Sequence, residues 1–110
     1  MFEYRFCTIK VRDSITDTMN YFARDGWRVV AISSNNAFGA TISYDIVVER
    51  DKNYEYDSVQ YEYECFRISK NITDFMDEKS RAGWRVVGYT SCMGFGASID
   101  YVIAFERPKR

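Results

Sequence analysis

Arg28 and Arg85 stand 57 positions apart in the same pentapeptide, Gly-Trp-Arg-Val-Val, and each is followed by a Phe-Gly-Ala triplet. Those triplets are Phe38-Gly39-Ala40 and Phe95-Gly96-Ala97. Two guanidinium forks suit an anion or phosphate, since each presents several N–H donors in a fixed plane. Two phenylalanines beside glycine could stack on a base, with the Gly-Ala amides turned toward an acceptor. A plainer reading stands beside that one. Arg28 and Arg85 could each meet a neighbouring strand acid such as Asp45 or Asp100, a pair of little energetic consequence at a surface. The Phe-Gly-Ala segments could be turns, with Phe38 and Phe95 folded back onto the sheet as plugs.

Other chemistry is scarce. The chain has no histidine, which removes the usual general base and the commonest transition-metal ligand. Cys7, Cys65 and Cys92 are odd in number, lack metal-ligand spacing and do not follow the repeat. Reduced thiols and a cytoplasmic setting are therefore expected, with no metal and no cofactor. The acid pairs Glu62/Glu64 and Asp77/Glu78 read as solvated surface, so no catalytic residue and no enzyme is expected. Net charge is −1 and no basic stripe is present, which argues against a nucleic-acid polymer as partner. The opening residues read as a strand with no leader, and no apolar run is long enough for a bilayer.

The elements that must position these residues are written twice. A shift of 57 aligns residues 4–50 with 61–107 without a gap, and 20 of the 47 pairs are identical. Residues 51–60 read as the connection, and the 110 residues as a single domain. Each copy predicts β-α-β-β. Strands are expected over 4–11 and 59–68, with a bulge near 8–9 and 65–66 to absorb a slip in their apolar phase. Ser14 and Asn71 are expected N-caps, and Gly26 and Gly83 the helix stops. Phe22 and Tyr21 become Lys79 and Glu78 in the second copy, so its helix should bury less. Trp27 and Trp84 read as core plugs. Strands over 27–33 and 84–90 and a cleanly alternating closing strand complete each copy. The expected fold is α+β: two fused repeats in one two-layer domain, a mainly antiparallel sheet of about six strands, both helices on one face, and a pseudo-two-fold axis between copies.

A Tyr-x-aromatic first strand, a short helix, Gly-Trp-x-Val-Val and a closing strand ending Glu-Arg resemble the bacterial and phage family catalogued as domain of unknown function 4177. The likeness covers residues 4–50 and 61–108, and Arg107-Pro108 matches the family's ending. One departure is that Arg28 and Arg85 fill a position that is usually acidic. The resemblance implies the fold and a small cytoplasmic protein, phage-encoded in one version, and it implies no catalytic residue. The functional expectation is a non-enzymatic binder that holds or sequesters a small anion such as a cyclic nucleotide. Its site would comprise Arg28, Arg85, Phe38, Gly39, Ala40, Phe95, Gly96 and Ala97. The alternative is a protein-interaction module or homo-oligomeric structural domain, and a homo-oligomer is expected.

Overall fold

A computed structural model of the chain describes residues 1–55, 59–94 and 98–109. The order is β1 (Phe2–Lys10), α1 (Ile15–Ala23), β2 (Arg28–Ala37), β3 (Ala40–Asp51), β4 (Tyr61–Ile68), α2 (Ile72–Arg81), β5 (Arg85–Met93) and β6 (Ile99–Pro108). The duplicated β-α-β-β unit and the α+β class hold. Among the described residues six antiparallel strands divide into two three-stranded sheets, β1-β3-β2 and β4-β6-β5, where the sequence suggested one. The two sheets approach most closely along β2 and β5, where a Cβ added to Gly88 would lie 3.1 Å from Ile32 Cγ2. No helix among the described residues is long and apolar enough to cross a membrane.

The first strands are offset from the gapless alignment. Tyr4 stands opposite Glu49 in β3, whereas Tyr63, not Tyr61, stands opposite Glu106 in β6. The structural counterpart of Tyr4 is therefore Tyr63, and that of Glu3 is Glu62. The path from that tyrosine to the helix is correspondingly two residues shorter in the second copy, Tyr63 to Ile72 against Tyr4 to Ile15. Ser14 caps α1 by accepting a hydrogen bond from the Asp17 N–H at 3.1 Å. Asn71 instead takes φ 56° at the start of α2 and makes no side-chain cap. Its role is to turn the shortened link, in a conformation asparagine tolerates better than most residues.

No bulge occurs in β1 or β4. Register shifts fall in β2 between Val29 and Ala31 and between Asn35 and Asn36, and in β5 between Val86 and Gly88. The phase slip has a different origin: Ile9 is buried, while Tyr4 and Phe6 carry aromatic rings on the exposed face.

Both helices end alike. Trp27 N–H reaches Phe22 C=O at 3.2 Å and Trp84 N–H reaches Lys79 C=O at 3.1 Å, each with a positive-φ glycine before the tryptophan. An alanine at Gly83 meets nothing within 4 Å and carries only the left-handed strain, while one at Gly26 would also press its Cβ onto the Tyr54 ring. Gly83→Ala should cost about 1 kcal/mol and Gly26→Ala measurably more. Chemical denaturation of the two variants checks the order.

The cores are unequal. One cluster joins Ile46 and Val48 of β3, Met19 of α1 and Trp27 with Tyr63, Val102 and Ala104 of the second sheet. The other is smaller: Trp84, Ile103 and Phe105 beneath Phe75 and Met76 of α2. Strand β6 is thus buried on both faces, one toward α2 and one toward the first copy. No residue of α2 is fully buried, as the Lys79 and Glu78 exchanges suggested.

A two-fold relation between copies is overturned by burial. Such an axis would cover Tyr4 as it covers Tyr63, yet Tyr63 is 1% exposed and Tyr4 60%. The first copy gives its helix-bearing face to the seam and the second gives its opposite face.

Candidate functional site

The seam between copies gathers the polar chemistry. Glu106 lies on β6 and is buried. Its Oε1 accepts from Arg28 Nη2 at 2.7 Å and from Arg85 Nη2 at 3.0 Å, and its Oε2 accepts from the Tyr63 hydroxyl. The same tyrosine oxygen accepts from the Val29 N–H at 3.0 Å, so the phenol passes polarity from the edge of β2 to the carboxylate. The Arg28 guanidinium also lies 3.9 Å over the Tyr61 ring.

These contacts fix the electrostatics. The hydrogen bond to Glu106 holds the Arg28 pKa above its usual value despite partial burial. Burial first, and the bond to Glu106 second, push the Tyr63 phenol well above the ordinary tyrosine value. Burial pushes the Cys65 thiol up to about 12. Tyr44 rises to about 12, through burial and a hydrogen bond with Cys92. None of these shifts brings a pKa toward 7, so none of these four groups is made a base or nucleophile at neutral pH.

Arg28 and Arg85 are thus brought together, on a partner the sequence did not single out. Asp45 is occupied by Thr8 and Asn35, and Asp100 by Arg67 at 2.7 Å. The letters Glu49 and Glu106 are identical in the two copies, so nothing local distinguished the acid that would be enclosed. Arg28 faces Glu49 across β2 and β3, but its side chain bonds Glu106 of the other sheet.

The Phe-Gly-Ala tips are not part of this cluster. Arg28 opens β2 and Phe38 follows its last residue, so the whole length of a ten-residue strand separates them. Phe38 (φ 53°) and Gly39 (φ 78°) form a two-residue turn closed by the Ala37–Ala40 pair, shorter than the sequence suggested. Phe38 is 96% exposed and plugs nothing. Ala40 begins β3, half-buried. Phe95, Gly96 and Ala97 lie outside the described residues.

Both tryptophans are core plugs, and each is sealed by an arginine that sequence reasoning left unassigned. Arg50 stacks 4.4 Å over Trp27, donates to the Asp25 carbonyl at 2.9 Å and pairs with Glu3. Arg107 stacks 4.1 Å over Trp84, donates to the Ala82 carbonyl and pairs with Glu62. The repeated Glu-Arg ending was the available signal: in each copy its arginine ties the closing strand to the first strand and to the helix end.

A cleft of about 330 Å³ opens between α1 and β4, with Arg24, Tyr61 and Lys109 among its walls. Glu62 and Glu64 line it as well. Across that cleft, Asn20 of α1 donates to the Tyr63 carbonyl at 3.1 Å and accepts from the Tyr63 N–H at 2.9 Å. Thr16 accepts from the Cys65 N–H at 3.0 Å. A helix thereby satisfies the otherwise open edge of β4.

Comparison with known proteins gives one finding. The family described as Domain of unknown function (DUF4177) matches residues 2–51 and again 54–108. No curated protein and no solved structure matches the chain.

Proposed function

The chain belongs to the DUF4177 family in two tandem copies, and from that premise we propose that it is a non-enzymatic binding protein for a small anion at the seam. A nucleotide, cyclic forms included, has the fitting chemistry. The observation that carries the reading is the convergence of Arg28 and Arg85 on the single Glu106 carboxylate, which leaves one positive charge in excess. Arg28 is held by Glu106 and Tyr61, so it is already ordered before a ligand arrives. The Arg85 side chain is 70% exposed and spends only one donor on Glu106, leaving the rest for an incoming oxygen. Tyr61 carries Arg28 on its ring and lines the neighbouring cleft, where Arg24 and Lys109 balance Glu62 and Glu64, so the excess charge lies at the arginine pair. A flat ring in the cleft with its anion at Arg85 is the arrangement these groups suit.

Calorimetric titration with cyclic mononucleotides, cyclic dinucleotides and inorganic phosphate tests the reading. Arg85→Ala should weaken binding about tenfold or more, the worth of a charge-assisted hydrogen bond, and leave the thermal midpoint nearly unchanged because the side chain is exposed. Absence of heat at millimolar ligand would sink the reading.

A further inference from the structure

The interface between the two copies leaves both of its halves available a second time. The first copy contributes α1 and the start of β2. Asn20 and Thr16 bond the outer edge of β4, Val29 N–H meets the Tyr63 hydroxyl, and Arg28 meets Glu106. The second copy has the same parts on its own α2 and β5: Asp77, Thr73, the Val86 N–H and Arg85. Thr73 and Asp77 are exposed where Thr16 and Asn20 are half-buried. Val86 is 39% exposed against 4% for Val29, and Tyr89 is 67% exposed against 9% for Ile32.

The receiving half is also present twice. Tyr63 and Glu106 are received at the seam, and their structural counterparts Tyr4 and Glu49 stand opposite each other on the first sheet. They are direct cross-strand neighbours on one face, and the nearby Glu49 carboxylate raises the Tyr4 phenol pKa. Exposed Phe2, Phe6 and Val30 surround them. Strand β1 is an edge strand. Its odd-numbered residues bond inward, as Met1 C=O to Lys52 N–H and Val11 N–H to Ile42 C=O place the phase. The Tyr4 and Phe6 backbone groups therefore point outward, as those of Tyr63 and Cys65 do toward α1. Exposed edges with aromatic faces are sites of pairing.

We propose that a second copy of this chain docks head to tail, its α2 and β5 seating on the Tyr4–Glu49 face and β1 edge of the first, in repetition of the internal seam. Thr73 would accept from Phe6 N–H, Val86 N–H would meet the Tyr4 hydroxyl, and Arg85 would meet Glu49. Such a contact is heterologous and leaves a free half at each end, so it builds beyond a dimer, into a ring or a filament. One exchange weakens it. Asp77 can accept from Tyr4 N–H but, unlike Asn20, cannot donate to the carbonyl. The association is accordingly looser than the covalently tethered seam.

The docking requires no anion at the seam, and although both readings use Arg85, the variants that test the docking leave it unaltered so that the two can fail separately. Sedimentation velocity of the full chain over a concentration series up to millimolar should give species larger than a dimer. Tyr4→Glu and Tyr89→Glu, both at exposed positions, should each be monomeric. An equimolar mixture of the two should form a one-to-one dimer, because each retains the half the other lacks. Asp77→Asn restores the missing donor and should tighten association several-fold. Three results would overturn the proposal: the chain and Asp77→Asn both monomeric at all concentrations, Tyr89→Glu self-associating as the unaltered chain does, or a mixture that stays monomeric.

Discussion

Glu106→Ala should lower the stability of the chain by about 3 kcal/mol, whereas Glu49→Ala should cost no more than about 1 kcal/mol. The two residues occupy the same position in the two copies and share their flanking Arg. What separates them is enclosure. Removing the Glu106 carboxylate strands the Tyr63 hydroxyl in the core and takes from Arg28 the partner that offsets its desolvation. Arg85 loses less, being mostly in water. The penalty is set by the groups left behind rather than by the contacts removed. At Glu49 the surroundings are half-open, and water replaces the lost acceptor. For a domain of this size the Glu106 change corresponds to a fall in thermal midpoint on the order of 10 °C or more. Glu106→Gln, which keeps an acceptor but not the charge, should fall between. Thermal denaturation followed by circular dichroism compares all three with the unaltered chain.

That pair of residues also marks where sequence reading stops. The β-α-β-β unit, the tryptophan plugs, the glycine stops and the weaker second helix were all legible, because each follows from local spacing and propensity. Position in the assembly was not. Two near-identical units can dock through like faces or through unlike ones, and the letters within one unit do not say which. The expectation of a two-fold axis chose like faces, and the burial of Tyr63 beside the exposure of Tyr4 corrects it. The gapless match added a second obstacle. It paired Tyr4 with Tyr61, and only the cross-strand register restores Tyr63 as the counterpart and makes Glu3–Arg50 and Glu62–Arg107 the same bond.

The candidate site divides along the same line. That Arg28 and Arg85 would meet was one of two readings of their symmetry, and the seam brings them onto one carboxylate. The glycine tips were grouped with them through adjacency in sequence, but a strand carries the chain away from its starting residue at about 3.3 Å per step. Arg28 and Phe38 therefore belong to opposite ends of β2.

The inequality of the copies should be measurable in the core as well as at the seam. Met19 and Met76 are the same residue of the same helix turn, and Met19→Ala should cost about 2–5 kcal/mol against about 1 kcal/mol for Met76→Ala. Met19 is fully enclosed, with the first sheet on one side and β4 on the other, where its sulfur lies 3.4 Å from that of Cys65. Truncation there opens a void that α1 cannot close. The helix is held in place by the Asn20 and Thr16 bonds to the β4 edge, and moving inward would break them. Met76 has the second sheet on one side only and is half-buried on α2, a helix held to its sheet by the longer Lys79–Glu64 pair and by Arg107 at its end rather than by bonds to a strand edge. Solvent and a small shift of α2 fill the gap. A loss of about 2–5 kcal/mol is a large part of what a domain this small possesses, so Met19→Ala should populate unfolded chain at modest urea concentration while Met76→Ala does not. Equal losses in urea titrations of the two variants would mean that the copies carry the core alike, and would contradict the asymmetric docking on which the seam, its arginine cluster and the head-to-tail contact all depend.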